Sequence, residues 1–259
     1  MAFSLAALAA PKAELWERWS ASGRGASVDH AEWDAFLQRN VKESKDGINR
    51  VAYGSVSGAD RKALAAYVEK LEAVKVTKLP RAEQRAYWTN LYNATTVKVV
   101  LDHYPTESIT KINISPGLFA KGPWKKKLLT IEGEEVSLDD IEHRILRPIW
   151  KDPRTHYSVN CASLGCPNLL PHAFTAATLE TMLDEAARAY VNHPRGARVD
   201  DGKLTVSSIY VWFQGDFGGN DSGVIAHLKK FADAPLAKQL KGIERIANDE
   251  YDWALNGAK

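Results

Sequence analysis

Arg81-Ala-Glu-Gln-Arg-Ala-Tyr-Trp-Thr-Asn-Leu-Tyr-Asn-Ala-Thr-Thr-Val-Lys-Val-Val-Leu-Asp-His103 decides the fold. It is the longest helical pattern in the chain and is closed by Tyr104-Pro105. The run is apolar nearly all round, the mark of a buried helix. Yet Glu83, Tyr87, Asn90, Asn93 and Val97 fall within about a third of the helical circle, at about 100° per residue. A buried helix with a carboxylate and two amides on one arc must give them partners. Either Glu83, Asn90 and Asn93 line a cleft or orient a histidine, or they hydrogen-bond neighbouring loops and hold the fold.

Upstream, three shorter helices are expected. Lys12–Ser22 carries Leu15, Trp16 and Trp19 at helical spacing, and Asp29–Val41 carries Trp33, Phe36 and Leu37 behind a capping Asp29. Ser57 caps a helix to about Val74 with Leu64, Tyr67, Val68 and Leu71 on one stripe. Downstream, strands are expected as a hairpin at 127–136, a single strand at 155–160, a hairpin at 198–206 and a last strand at 251–255. Ser137-Leu-Asp-Asp140 reads as a capping box with Asp in place of Glu, opening a helix over 138–146 that stops near Pro148. Helices follow at 178–192, 209–213, 224–231 and 236–240. Trp88, Tyr92, Tyr210, Trp212 and Phe213 are read as core aromatics. The class is α+β: a helical N-terminal layer and a buried central helix packed on a small, mostly antiparallel sheet.

Composition bounds the function. The chain has 259 residues, is 45% hydrophobic and 25% charged, and carries a formal net charge of +2. That balance speaks against a broad basic nucleic-acid surface. No window is apolar enough to span a membrane, so no integral membrane segment is expected. Met1–Pro11 is apolar and rich in small residues, like the end of a secretory signal without a basic start. Residues 1–12 are read as a disordered tail or signal remnant and 13–259 as one domain. A periplasmic or secreted location is expected, or a cytoplasmic one if the N-terminus is no signal remnant.

The chemistry is concentrated in Arg154-Thr-His-Tyr-Ser-Val-Asn-Cys-Ala-Ser-Leu-Gly-Cys-Pro167, which holds both cysteines of the chain. A thiol beside an imidazole can be a nucleophilic site, half of a disulfide or part of a metal site. As a nucleophile, Cys161 needs a base, His143 or His156, with Asn90 or Asn160 to orient it or stabilise an oxyanion. Strand parity puts His156 on the face of Asn160 rather than that of Cys161, unless the chain turns at Asn160. Ala162 and Ser163 would suit such a turn. Asp139, one helical turn before His143, is its expected partner. A Cys161–Cys166 disulfide would close a short loop and contribute about 2 kcal/mol. A zinc site from Cys161, Cys166 and two of His143, His156 and His172 is a third arrangement, at the edge of zinc spacing. No cofactor is required by any motif.

Tyr87–Ala94, Leu138–Leu146, His156–Pro167 and Ser208–Phe213 together resemble the family called domain of unknown function 547, over about 53–253. That family occurs in bacterial proteins, often exported, and in plant proteins behind a coiled-coil segment; the resemblance favours an exported bacterial protein and implies no agreed activity. A more distant likeness to papain- and transglutaminase-like folds would place a nucleophilic cysteine at the start of the central helix, where this chain has none. The function expected is a cysteine-dependent hydrolase or acyl transferase acting on amide or thioester bonds. Its catalytic set would be Cys161, His143, His156 and Asn90, in a cleft lined by Glu83, Asn93, Asn160 and Ser163. The alternative is a non-catalytic domain that binds a peptide or glycan and is braced by Cys161–Cys166.

Overall fold

The structure, a computed structural model, describes residues 11–117 and 120–258. Met1–Ala10, most of the stretch read as tail or signal remnant, lies outside the described residues. No helix among the described residues is long and apolar enough to cross a membrane.

Helices α1 (Ala31–Asn40), α2 (Gly58–Glu72) and α3 (Arg81–Asp102) lie where the 3.6-residue periodicity puts them. Ser57 accepts the N–H of Asp60 and so caps α2. From Gln84 to Val97 every residue of α3 is buried. Tyr87 donates to the Leu71 carbonyl (2.9 Å), and Trp88 meets Trp19 edge-on with centroids 5.2 Å apart. Each large apolar side chain that α3 buries contributes roughly 1.5–3 kcal/mol.

Strands β1 (Val41–Lys42) and β2 (Arg50–Val51) form a short antiparallel pair, and β3 (Leu129–Ile131) and β4 (Glu134–Val136) form the first expected hairpin. Leu129, Ile131 and Val136 join the same apolar cluster as Leu91 and Val100 of α3. After β4 come a π-helical segment (Asp140–Leu146), α4 (Arg147–Trp150), α5 (Thr155–Ser158) and α6 (Leu179–Val191). Strands β5 (Ala197–Asp200) and β6 (Lys203–Ser207) make the second hairpin; α7 (Ser208–Trp212), α8 (Asp221–Phe231) and α9 (Ala234–Gln239) come next. Strand β7 (Ile246–Glu250) pairs parallel to β6. The molecule is α+β.

Three local expectations are corrected. Residues 155–160 are not a strand. The N–H groups of Thr155, His156 and Tyr157 return to the carbonyls of Asp152, Pro153 and Arg154, making one helical turn. The last strand is 246–250, because pairing with β6 selects it, and 251–255 instead runs beside the cysteine loop. Lys12–Ser22 forms only a 3₁₀ turn at Glu17–Ser20, because the N–H groups of Glu14 and Trp16 bond carbonyls elsewhere in the chain.

Two large apolar clusters result. One holds α1–α3, the β3–β4 hairpin and Ile141, Ile145 and Leu146; the other holds α6–α8 with β5 and β6. The segment 155–170 passes between them, with Tyr157 in the second cluster and Val159 in the first.

Candidate functional site

The seam between the clusters carries two groups of reactive side chains. The first grows from the π-helical segment. Ser137 and Asp140 form the expected box: Ser137 Oγ accepts the N–H of Asp140, and Asp140 Oδ2 accepts the N–H of Ser137. The Arg147 N–H then bonds the Glu142 carbonyl five residues back, and this wider helical turn presents His143 and Arg147 to Phe213, Arg147 to Asp216 and Glu142 to His156.

Arg147 Nη1 donates to His143 Nδ1 (3.0 Å), and since arginine only donates, the His143 proton sits on Nε2. Burial holds His143 down to about 4, so it is a neutral imidazole. Arg147 Nε donates to Asp216 Oδ2 (2.6 Å), and His156 Nε2 meets the same oxygen at 2.7 Å. Burial opposes the Asp216 charge, but the bonds from His156 and Arg147 outweigh it and hold the carboxyl well below the usual range. An ionised carboxylate accepts, so His156 carries its proton on Nε2 and turns Nδ1 toward Glu142, 3.8 Å away. Phe213 stacks on the His156 ring at 4.5 Å and lies under the Arg147 guanidinium at 4.6 Å. His156 is buried, while the Asp216 side chain is 24% exposed. Beside this group is a cavity of about 380 Å³ whose walls include Lys125, Lys127, Asp139, His143, Pro11 and Glu14. Burial, with Glu142 nearby, raises Asp139 to about 6.

The second group is the thiol loop. Asn93 grips its approach: Nδ2 donates to the Ser158 carbonyl (2.8 Å) and Oδ1 accepts the Asn160 N–H (2.8 Å). The chain turns after Asn160, with Ala162 at φ 58°, a left-handed conformation steadied by the bond from its N–H to Asn160 Oδ1. Gly165 lets 251–255 approach, since a Cβ there would sit 2.7 Å from the Asp252 nitrogen. That places the Tyr251 hydroxyl 3.1 Å from Cys161 Sγ and 2.9 Å from Ser163 Oγ. Cys161 and Cys166 are free thiols with sulfurs 2.8 Å apart. Burial, and then its bond to Cys166, pushes the Cys161 thiol up. For Cys166 burial acts the same way but is outweighed by bonds from the Cys161 thiol, the Tyr251 hydroxyl and the Cys161 N–H, which pull it down.

The expected site residues thus divide. Cys161, Cys166, Ser163 and Asn160 come together; His143 and His156 come together elsewhere, each bonded to a partner other than Cys161. Asn90 bonds both main-chain groups of Phe174, and Glu83 accepts the Val28 N–H, so neither bonds the thiols or the imidazoles. The zinc set is not assembled: His172 lies on the surface beside Asp34, and among the described residues no three His, Cys, Asp or Glu side chains are placed to hold a metal ion. Asp139 approaches His143 only to 3.9 Å. Arg147, Asp216 and Tyr251 carry no sequence signal that marks them as site residues, with one exception. Arg147 stands one helical turn beyond His143 and is findable by that spacing; Asp216, sixty residues beyond His156, is not.

No curated protein and no solved structure matches the chain, and the papain- and transglutaminase-like analogy is not confirmed. A family model does match, over residues 76–191. That span includes Glu142, His143, Arg147, His156 and both cysteines, and leaves out Phe213, Asp216 and Tyr251. The motifs at Tyr87–Ala94, Leu138–Leu146 and His156–Pro167 accordingly lie in the segment that matches the family described as "Protein of unknown function, DUF547".

Proposed function

We propose that the chain is a hydrolase or acyl transferase acting on amide or thioester bonds, with His156 rather than Cys161 at the centre of the chemistry. The observation that carries this reading is the 2.7 Å contact of His156 Nε2 with an ionised Asp216, which leaves Nδ1 as an oriented base. Nδ1 would take a proton from water, or from an acceptor alcohol or amine. The oxygen or nitrogen adds to the acyl carbon, and the departing amine or thiolate recovers that proton. Arg147 supplies a fixed positive charge beside Asp216, suited to a developing oxyanion. A panel of p-nitroanilides and acyl thioesters tests this. H156A should abolish turnover, and D216N should lower kcat by about a hundredfold or more with little change in KM. C161A should retain turnover. The reverse pattern, C161A dead and H156A active, would return the chemistry to the thiol.

The 2.8 Å sulfur separation favours a second reading: an exported, non-catalytic domain that binds a peptide or glycan and carries a Cys161–Cys166 bridge. Intact-mass measurement of unfolded protein, alkylated before and after reduction, decides it. Thiols that appear only on reduction support the bridge, and two thiols alkylated without reduction sink it.

A further inference from the structure

Pro148 lies inside the helical run that continues from the π-helical segment into α4. It has no N–H to give. Five residues back that hydrogen would have served the His143 carbonyl, and four back that of Arg144. Both carbonyls find donors outside the helix: Glu14 N–H on His143 O and Trp16 N–H on Arg144 O, each at 3.0 Å. Arg147 Nη1 in turn donates to the Pro11 carbonyl at 2.8 Å.

Residues 11–16 are therefore held along the helix by three bonds through their main chain. Pro11 to Leu15 are exposed, and Leu15 is 39% accessible despite being apolar. Trp16 is the side-chain anchor, with the Arg144 guanidinium 4.6 Å above its ring and Trp19 edge-on at 5.6 Å. Main-chain bonds do not read side-chain identity, so an arrangement of this kind accepts an extended segment of varied sequence. The cavity beside it leaves room for side chains the resident segment does not fill.

We propose that the His143 and Arg144 carbonyls together with the Arg147 guanidinium form a binding strip for an extended peptide with an aromatic side chain, and that residues 11–16 are its resident competitor. The proposal gives the acyl chemistry above a substrate class, and rests on that reading only for the chemical step after binding. The Pro11 carbonyl marks where a substrate carbonyl sits, on the guanidinium that also holds Asp216. A tethered occupant competes at roughly millimolar effective concentration, so a free peptide binds the intact chain weakly.

The test uses the full chain and its W16A variant, with a fluorescein-labelled synthetic peptide of residues 11–20 as probe and anisotropy as readout. W16A should bind the probe at least tenfold more tightly than wild type. The same probe N-methylated at the Glu14 and Trp16 nitrogens should bind neither protein. Equal affinity for wild type and a folded W16A, or undiminished binding of the methylated probe, overturns the proposal. Should W16A fail to fold, amide exchange in the wild type decides. Glu14 and Trp16 should exchange by local opening at a rate independent of low denaturant, and exchange only through global unfolding overturns the strip. Probe binding without turnover of any substrate leaves the strip standing and removes the catalytic reading. Turnover unaffected by saturating probe does the opposite.

Discussion

His143 shows how burial sets the chemistry of a single side chain. Its ring is enclosed by Arg147, Glu142, His156 and Phe213, and loss of solvation holds it neutral down to about pH 4. His30 and His227 are lowered to about 4 for the same reason. Between their ordinary value of 6.5 and 4 the unfolded chain binds protons that the folded chain refuses. Stability is therefore complete above about 6.5 and is lost as pH falls through that window, with a slope approaching about 1.4 kcal/mol per pH unit for each histidine. Asp139 acts in the opposite sense. Raised from 3.8 to about 6, it binds a proton more tightly when folded, and its contribution is lost as pH rises across that range. Three histidines outweigh one carboxyl, so urea midpoints should drop steadily from pH 7 to pH 4.5. A flat profile would show that these rings take up protons without unfolding the chain. Little of this is legible in the sequence: His143 stands out as a residue, but the partners that bury it come from positions 142, 147, 156 and 213, and the last two are unrelated to it by local spacing.

Among the elements, α3 is both the most legible and the most consequential. Its all-round apolar pattern identifies a buried helix, and its two asparagines are recognisable as groups in need of partners. Which partners they take depends on the fold. Asn90 holds Phe174, and Asn93 holds Ser158 and Asn160, ahead of Cys161. N93A leaves a buried carbonyl and a buried N–H unpaired, at about 1–3 kcal/mol each. The variant should lose roughly 2–6 kcal/mol of stability in urea unfolding, and Cys161 should alkylate faster in the folded protein. Unchanged stability would mean that the loop is held by its pairing with 251–255 alone. The helical turn at Thr155–Ser158 is readable too: Asp152-Pro153 is a helix-start signal. The strand preference of Thr, Tyr and Val masks it. The parallel pairing of β7 with β6 leaves no local trace, so the sequence pattern favours 251–255 as the strand instead.

At the scale of the whole molecule, the reactive groups belong to neither core. Glu142, His143 and Arg147 extend from the cluster around Ile141 and Ile145; Phe213 and Asp216 extend from the cluster around Tyr210 and Phe217. The Arg147–Asp216 ion pair crosses the seam, and so does the hydroxyl of Tyr251 on Cys161. Truncating Phe217, which is buried and lies 5.3 Å from the His156 ring, should cost about 3–5 kcal/mol and misplace Asp216 as well. On the proposed acyl chemistry, its measured signature would be a loss of turnover larger than the unfolded fraction explains. This division between two cores is not visible along the chain, where residues 13–259 read as one continuous domain.

A site built across a seam also has a thermal history of its own. Heat needs only to slide one core against the other by an ångström or so to part Arg147 from Asp216, before either core melts. On the proposed acyl chemistry, loss of turnover should therefore run several degrees ahead of the calorimetric transition and reverse on cooling. An additive that bridges the two halves would raise the temperature at which the seam holds more than it raises the melting temperature.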